Sequence, residues 1–332
     1  MTRSLYLFSL RDHVPKNNQS HLPHTRAMKQ TTSTILLALL LFTCCSSPSS
    51  RSPEELAEYA QELNEWYAHR LEELTARDGW LNILGLYWLE PGVNTFGSSN
   101  ENQIVFPDST IESQAGYFLV NKGSVVMHLD KQTRATINGT SVAEQTIFNP
   151  DSTWQPQTEN GKVAWTIIRR DGKFGVRVRD LTMRSLRTFQ GIDRFPIDRG
   201  LRIDATFLPA SSKTIDVTNV IGQTTSQVSP GTILFTLNGE EHRLDVLEGN
   251  DKAYFVIVAD ETSGRDTYAG GRYLYVPKED DRKNIVLDFN KLYNPPCVFT
   301  PYATCPLPPR QNVLPFSIRA GEKVYGNDAH EE

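Results

Sequence analysis

Cysteine is scarce. The chain has four in 332 residues, and Cys44 and Cys45 adjoin an N-terminal apolar run, which leaves only Cys297 and Cys305 for the body. That excludes a cysteine-dense disulfide scaffold, and the C-x₇-C spacing is neither the C-x-x-C of redox proteins nor that of a zinc knuckle. Histidine is thin as well: beyond residue 43 only His69, His128, His242 and His330 remain, far apart in the chain. There is no H-E-x-x-H, no G-x-S-x-G, no Walker loop and no Rossmann glycine pattern after a strand. A metal centre or a Ser–His–Asp triad would need distant residues to converge. Positive charge is also in deficit. The net charge is −5, and residues 1–43 hold five basic residues and one acidic, so the remainder carries −9. That balance argues against nucleic acid as a partner.

The N-terminal part reads as an export signal. Residues 1–27 are polar and irregular, an upstream extension if translation starts at Met28. Residues 28–44 follow a lipoprotein-type pattern: Lys29, the apolar run from Ile35 to Leu41, then Cys44 as the expected lipidation site, with Cys45 as the alternative. The apolar run is too short to span a bilayer. Residues 45–52 form a Ser/Pro tether. The expected location is therefore the cell envelope, exported and lipid-anchored, with the membrane as one partner.

A helix is predicted over 53–78. Ser52 can cap it, Pro53 suits the first turn, and Glu55 completes a capping box. Leu56, Tyr59, Leu63, Trp66, Tyr67, Leu71 and Leu74 form one apolar stripe, expected to dock on the body. Beyond it the period becomes that of short strands, without βαβ alternation. The fold class is mainly β: an antiparallel sandwich or barrel-like body preceded by one amphipathic helix. The turn-rich stretch 149–161 suggests a boundary between a part at 79–150 and a second β part at 161–325.

Two hairpins are marked by Asp171-Gly172 and Asn238-Gly239. On the first, Arg177 and Arg179 alternate with Val176 and Val178, and Arg169, Arg170, Arg184 and Arg187 lie nearby. Such a cluster could hold a carboxylate or phosphate; the expected arrangement is a solvated sheet face paired with acids such as Asp180 and Asp193.

Residues 260–322 concentrate the polar, aromatic, Gly, Pro and Cys residues. The apolar run Ala253–Val258 should be a buried strand that delivers Asp260 to its end, and Ile285–Phe289 delivers Asp288. If these carboxylates converge, one pKa rises and an acid/base pair results, so they are the candidate catalytic residues. Thr262, Ser263, Thr267, Tyr268, Arg272, Asn290, Tyr293 and Asn294 are the ligand-binding candidates. The alternative is a polar network that locks the loop. Calcium at 260–271 is disfavoured because the glycine is misplaced and Gly271 stands where a bidentate Glu belongs, so no metal and no cofactor are expected. Cys297 and Cys305 are a candidate disulfide, worth roughly 2–3 kcal/mol for so short a loop.

Two resemblances accompany these readings. Thr262-Ser263-Gly264, Thr267-Tyr268, Gly271-Arg272, Asp288-Phe289-Asn290, Tyr293-Asn294-Pro295, Cys297, Cys305-Pro306-Leu307-Pro308 and Ala320-Gly321-Glu322 resemble the signature of a bacterial family known as domain of unknown function 1684. With Gly79-Trp80-Leu81 the resemblance extends over roughly 78–325, and it implies no activity. Pro91-Gly92, Phe96-Gly97-Ser98, Ile104-Val105-Phe106-Pro107 and Asn138-Gly139-Thr140 resemble a forkhead-associated sandwich. That fold reads phosphothreonine through an Arg after its first glycine and a Ser-x-x-His. Here Ser98 and Ser99 follow Gly97, and Ser113-Gln114-Ala115-Gly116 lacks the His, so phosphopeptide reading is not implied. The reading that remains is a cell-envelope protein binding a small molecule or an envelope protein through 260–272 and 288–322. The alternative is an envelope hydrolase using Asp260 and Asp288.

Overall fold

The computed structural model describes residues 52–107, 111–279 and 283–326. The readings of 1–27, of the signal at 28–44 with Cys44, and of nearly all the tether fall outside the described residues.

Helix α1 (Pro53–Thr75) begins at the capping box: Ser52 Oγ accepts from the Glu55 amide and the Glu55 carboxylate accepts from the Ser52 amide. It ends three residues short of the prediction, with Ala76 already extended. Tyr59, Leu63, Tyr67 and Leu74 form its buried face, while Leu56 is exposed. Leu63 and Leu74 are fully buried, each contributing roughly 1.5–3 kcal/mol.

Among the described residues eleven strands then build a sandwich. They are β1 (Ile83–Leu89), β2 (Gly92–Gly97), β3 (Ile104–Val105), β4 (Gly116–Asn121), β5 (Ser124–Leu129), β6 (Ala135–Ile137), β7 (Thr140–Val142), β8 (Glu144–Phe148), β9 (Thr158–Asn160), β10 (Val163–Arg170) and β11 (Lys173–Asp180). One sheet runs β3-β2-β4-β5-β8 and the other β1-β11-β10-β9-β6-β7. Phe96, Phe106, Phe118 and Trp165 fill the space between them. The expected boundary at 149–161 is thereby corrected. The hairpin β10–β11 belongs to the first part, since β11 pairs with β1 and Trp165, Ile167, Val176 and Val178 complete its core. An alternating strand pair needs a facing sheet for its apolar side, and only β2–β5 offers one. The chain leaves the sandwich after Asp180, so the second β part begins near Arg202.

That part is one antiparallel sheet, ordered β16-β15-β14-β13-β12-β17. Its strands are β12 (Arg202–Thr218), β13 (Thr224–Leu237), β14 (Glu240–Asn250), β15 (Ala253–Val258), β16 (Arg272–Pro277) and β17 (Asn284–Asp288). Edge strands β16 and β17 come within 8 Å of each other, so the sheet nearly closes. Ile233, Leu244, Val256, Leu287 and Phe289 form its core. The hairpin tips Asp171-Gly172 and Asn238-Gly239 both have positive φ at each residue, the geometry that makes these dipeptides favourable there.

Candidate functional site

Asp260 and Asp288 do stand at the ends of β15 and β17, but they enter different networks and share no partner. Asp260 Oδ1 accepts from the Thr262 amide at 2.8 Å, the Thr262 hydroxyl at 2.6 Å and the Ile318 amide at 3.1 Å. Its Oδ2 accepts from Arg272 Nη2 at 2.8 Å, with both side chains almost wholly buried. Thr262 in turn bonds the Thr267 hydroxyl at 2.9 Å, and Ser263 Oγ accepts from the Asp260 amide. Arg272 also donates to the carbonyls of Ile318, Ala320 and Glu322. Burial lowers its pKa and Asp260 opposes that shift. Thr262, Ser263 and Thr267 thus spend their hydroxyls inside the protein, Arg272 spends both terminal nitrogens there but not its Nε, and Tyr268 is half-buried beside them. The tight turn needs glycine at 271: φ is +80°, and a Cβ would lie 2.7 Å from the Val258 carbonyl.

Asp288 is held by α1. Tyr59 donates to both of its oxygens at 2.8 and 2.9 Å, and the Asn290 amide caps Oδ1 at 3.1 Å. Asn290 reaches back to Tyr59 and to the backbone of Asp198, while Tyr67 donates to the Asn290 carbonyl at 2.5 Å. Burial and the neighbouring Asp288 push the Tyr59 hydroxyl pKa up, so it stays a donor. Asn294 is fully buried: its side chain donates to the Lys323 carbonyl and its amide to Glu322 Oε2 at 2.6 Å. Both carboxylates are thus hydrogen-bonded within the protein. Among the described residues no group of three His, Cys, Asp or Glu could hold a metal.

Glu322 is the buried acid that sequence reasoning passed over. Its partner is Arg70 of α1, at 3.4 Å. Burial pushes its carboxyl pKa up, and Arg70 pulls part of the way back. The folded state so holds the proton to higher pH than the unfolded chain. Stability from such a group is fully present below the unfolded value, about 4.3, and is lost as pH rises through the raised folded value. Glu322→Gln is therefore expected to gain on the wild type as pH rises through that window, by about 1.4 kcal/mol for each pH unit between the two values, and then to level off. Urea unfolding of both proteins between acidic and neutral pH checks this; a constant difference would refute it.

One of several open features among the described residues is a cleft of about 610 Å³ between α1 and the second sheet. Trp66, Trp80, Phe255, Tyr273, Tyr275 and Tyr293 line it, with His69, Arg70, Glu73 and Asn250 among them. Tyr293 packs edge-on to Tyr273 at 5.9 Å and nearly parallel to Tyr275 at 6.3 Å, and the Arg70 guanidinium lies 4.7 Å over its ring. Tyr275 is 46% exposed although it sits on a strand, so its ring is open to the cleft side. Of the ligand-binding candidates, Tyr293 lines this cleft, and Asn290 touches a second one of about 510 Å³ beside Tyr67 and Arg194. Cys297 and Cys305 are joined, with their Cα atoms 6.1 Å apart, and fix the loop behind Tyr293 and Pro296. Trp66, Trp80, Phe255 and Tyr275 do not stand out as site residues in the sequence. The usable signal is the density of aromatics on the α1 stripe.

A family model described as "Protein of unknown function (DUF1684)" matches residues 187–323, a narrower span than the signature suggested. The chain is 30% identical to the uncharacterized protein from gene locus rrnAC0354 of Haloarcula marismortui, known from a solution NMR structure. That match covers 42% of this chain and 79% of the other, with a TM-score of 0.35. It is also similar to an FHA-2 domain from a Mycobacterium tuberculosis ABC transporter, at 19% identity over 27% of this chain and 77% of the other, TM-score 0.21. The FhaA FHA domain matches at 14% identity over 28% and 97%, TM-score 0.20. At these values the likeness to FHA domains says nothing about what this chain binds. No protein of curated function matches.

Proposed function

The chain belongs to the DUF1684 family of proteins of unknown function, and we propose that it is a ligand-binding protein of the cell envelope whose site is the aromatic cleft between α1 and the second sheet. The carrying observation is the wall of six aromatic side chains with a cation, an acid, a histidine and an amide set among them. Apolar lining with a few convergent polar groups is the usual character of a small-molecule site. A ring-shaped ligand would stack on Tyr275 and Trp66 and direct its polar edge to Arg70, Glu73 and Asn250. The hydrolase alternative has less support, because Asp260 and Asp288 are each committed to donors of their own. Anchoring through lipid on Cys44 is supported by the pattern of residues 28–44. Among the described residues no helix is long and apolar enough to cross a membrane.

One preparation tests both parts: protein purified from its own host's envelope and weighed by mass spectrometry under native and denaturing conditions. A bound organic mass lost on denaturation, on a chain starting at a lipidated Cys44, is expected. An unmodified chain that begins at Met28 would sink the anchor. Once the ligand is known, Trp66→Ala is expected to weaken binding roughly tenfold, through about 1–1.5 kcal/mol of lost stacking, with little change in melting temperature. Unchanged affinity in Trp66→Ala and Tyr275→Ala would remove the cleft from consideration.

A further inference from the structure

In the arginine cluster around the first hairpin, Arg169, Arg170 and Arg187 are exposed and Arg184 pairs with Asp180, as expected of a solvated face, but Arg177 does not follow them. Val176 and Val178 of β11 point into the sandwich core, so Arg177 and Arg179 project from the opposite face. Arg177 is nevertheless only 7% exposed. Its guanidinium lies against Trp80, whose ring centre is 4.9 Å from the guanidinium carbon. Among the described residues its Nε and Nη2 have no hydrogen-bond acceptor. Asp180, one of the acids expected to balance it, is engaged elsewhere: it binds Arg184 at 2.8 Å and the Thr182 hydroxyl. The charged groups that act on Arg177 are Arg179 and Arg170, both cations, and burial together with them lowers its pKa to about 10. Arg179 spends one nitrogen on the carbonyls of Asp78 and Gly79, and Arg170 one on the carbonyl of Arg169. On the cross-strand neighbours, Thr166 stands opposite Arg177 in β10 and Leu86 in β1.

A guanidinium taken out of water without a carboxylate is an expensive arrangement, and buried charges are as a rule paired. A planar fork with two unspent N–H groups, flanked by two more cations, is matched by a small oxyanion, which it can hold bidentately. We propose that Arg177 anchors an oxyanion site on the outer face of β10 and β11, taking a phosphate or carboxylate group, with Arg179 and Arg170 adding charge and Trp80 forming one wall. The site goes beyond the aromatic cleft: Trp80 borders both, but none of the three arginines lines the cleft.

The test uses the full chain and inorganic phosphate as the probe, at ionic strength held constant with sodium chloride. Thermal melting should shift upward and keep rising with the logarithm of anion concentration, the folded-to-unfolded ratio rising about 100-fold at 100 times the dissociation constant, while Trp80 fluorescence saturates as the site fills. Acetate in place of phosphate tells the two oxyanion classes apart, and a shift with either supports the site. Arg177→Met keeps the length of the stem and removes the charge. It is expected to abolish the shift, yet to be at least as stable as the wild type without added anion, because an uncompensated buried charge has gone. Trp80→Phe should retain the shift but lose the anion-dependent fluorescence change. No shift with either anion, or the same shift in Arg177→Met, would overturn the proposal. So would a large loss of stability in Arg177→Met without anion, since that would mean the arginine is already paired within the fold.

Discussion

Arg272→Ala is expected to remove about 3–5 kcal/mol of folding stability, a large fraction of the roughly 5–15 kcal/mol that holds a domain folded. Three losses combine. Asp260 would be left charged and buried beside an apolar gap. The carbonyls of Ile318, Ala320 and Glu322 would lose their shared donor. The segment that brings Glu322 to Arg70 of α1 would lose its tie to β16. Arg272→Lys should recover little, because one ammonium cannot reach three carbonyls and a carboxylate in the directions of a planar fork. The double variant Arg272→Met with Asp260→Asn should recover more than Arg272→Lys does, since it removes both charges together. Urea unfolding of the set checks the order. A loss below about 1 kcal/mol in Arg272→Ala would mean that the pair behaves like a surface ion pair and that the strap is held by something else.

Residues that act on near neighbours were legible in the sequence. Ser52 and Glu55 wrote the start of α1, the two X-Gly dipeptides wrote two hairpin tips, and the run Ala253–Val258 wrote a buried strand ending at Asp260. Each is a contact over a few residues, where backbone preference and side-chain chemistry are enough. The rest depends on pairings that no local pattern encodes. β1 finds β11 about ninety residues later, so a loop rich in turn residues at 149–161 read as a domain boundary when it only crosses one end of a sandwich. Tyr59 and Asp288 are 229 residues apart, and the stripe on α1 could not announce that two of its tyrosines end in hydrogen bonds to one loop. Glu322 looks like any surface acid until Arg70 is placed over it. The cleft draws residues from five separate segments of the chain, of which only Tyr293 and Pro296 lie within 260–272 or 288–322.

Asp288 decides between anchoring and catalysis, and a double-mutant cycle with Tyr59 measures which it does. Tyr59→Phe removes the one side chain that donates to both carboxylate oxygens, and about 1–3 kcal/mol should be lost. Asp288→Ala leaves the Tyr59 hydroxyl with Asn290 as its remaining partner and uncaps the Asn290 amide. It should cost about 2–4 kcal/mol, one or two buried groups at that same penalty. The second change should cost much less on the background of the first, giving a coupling energy of about 1–3 kcal/mol, because the two residues act on one another across the seam between α1 and β17. Hydrogen exchange should show α1 opening more readily in both single variants, since the polar clamp at 288–290 is what fixes its N-terminal half. A carboxylate kept for chemistry would behave differently. Its removal would relieve a desolvation cost, stability would stay level or rise, and the coupling with Tyr59 would fall near zero. Measured coupling and exchange thus separate a lock from an active site without a substrate in hand, and the four donor contacts to Asp288 make the lock the expected result.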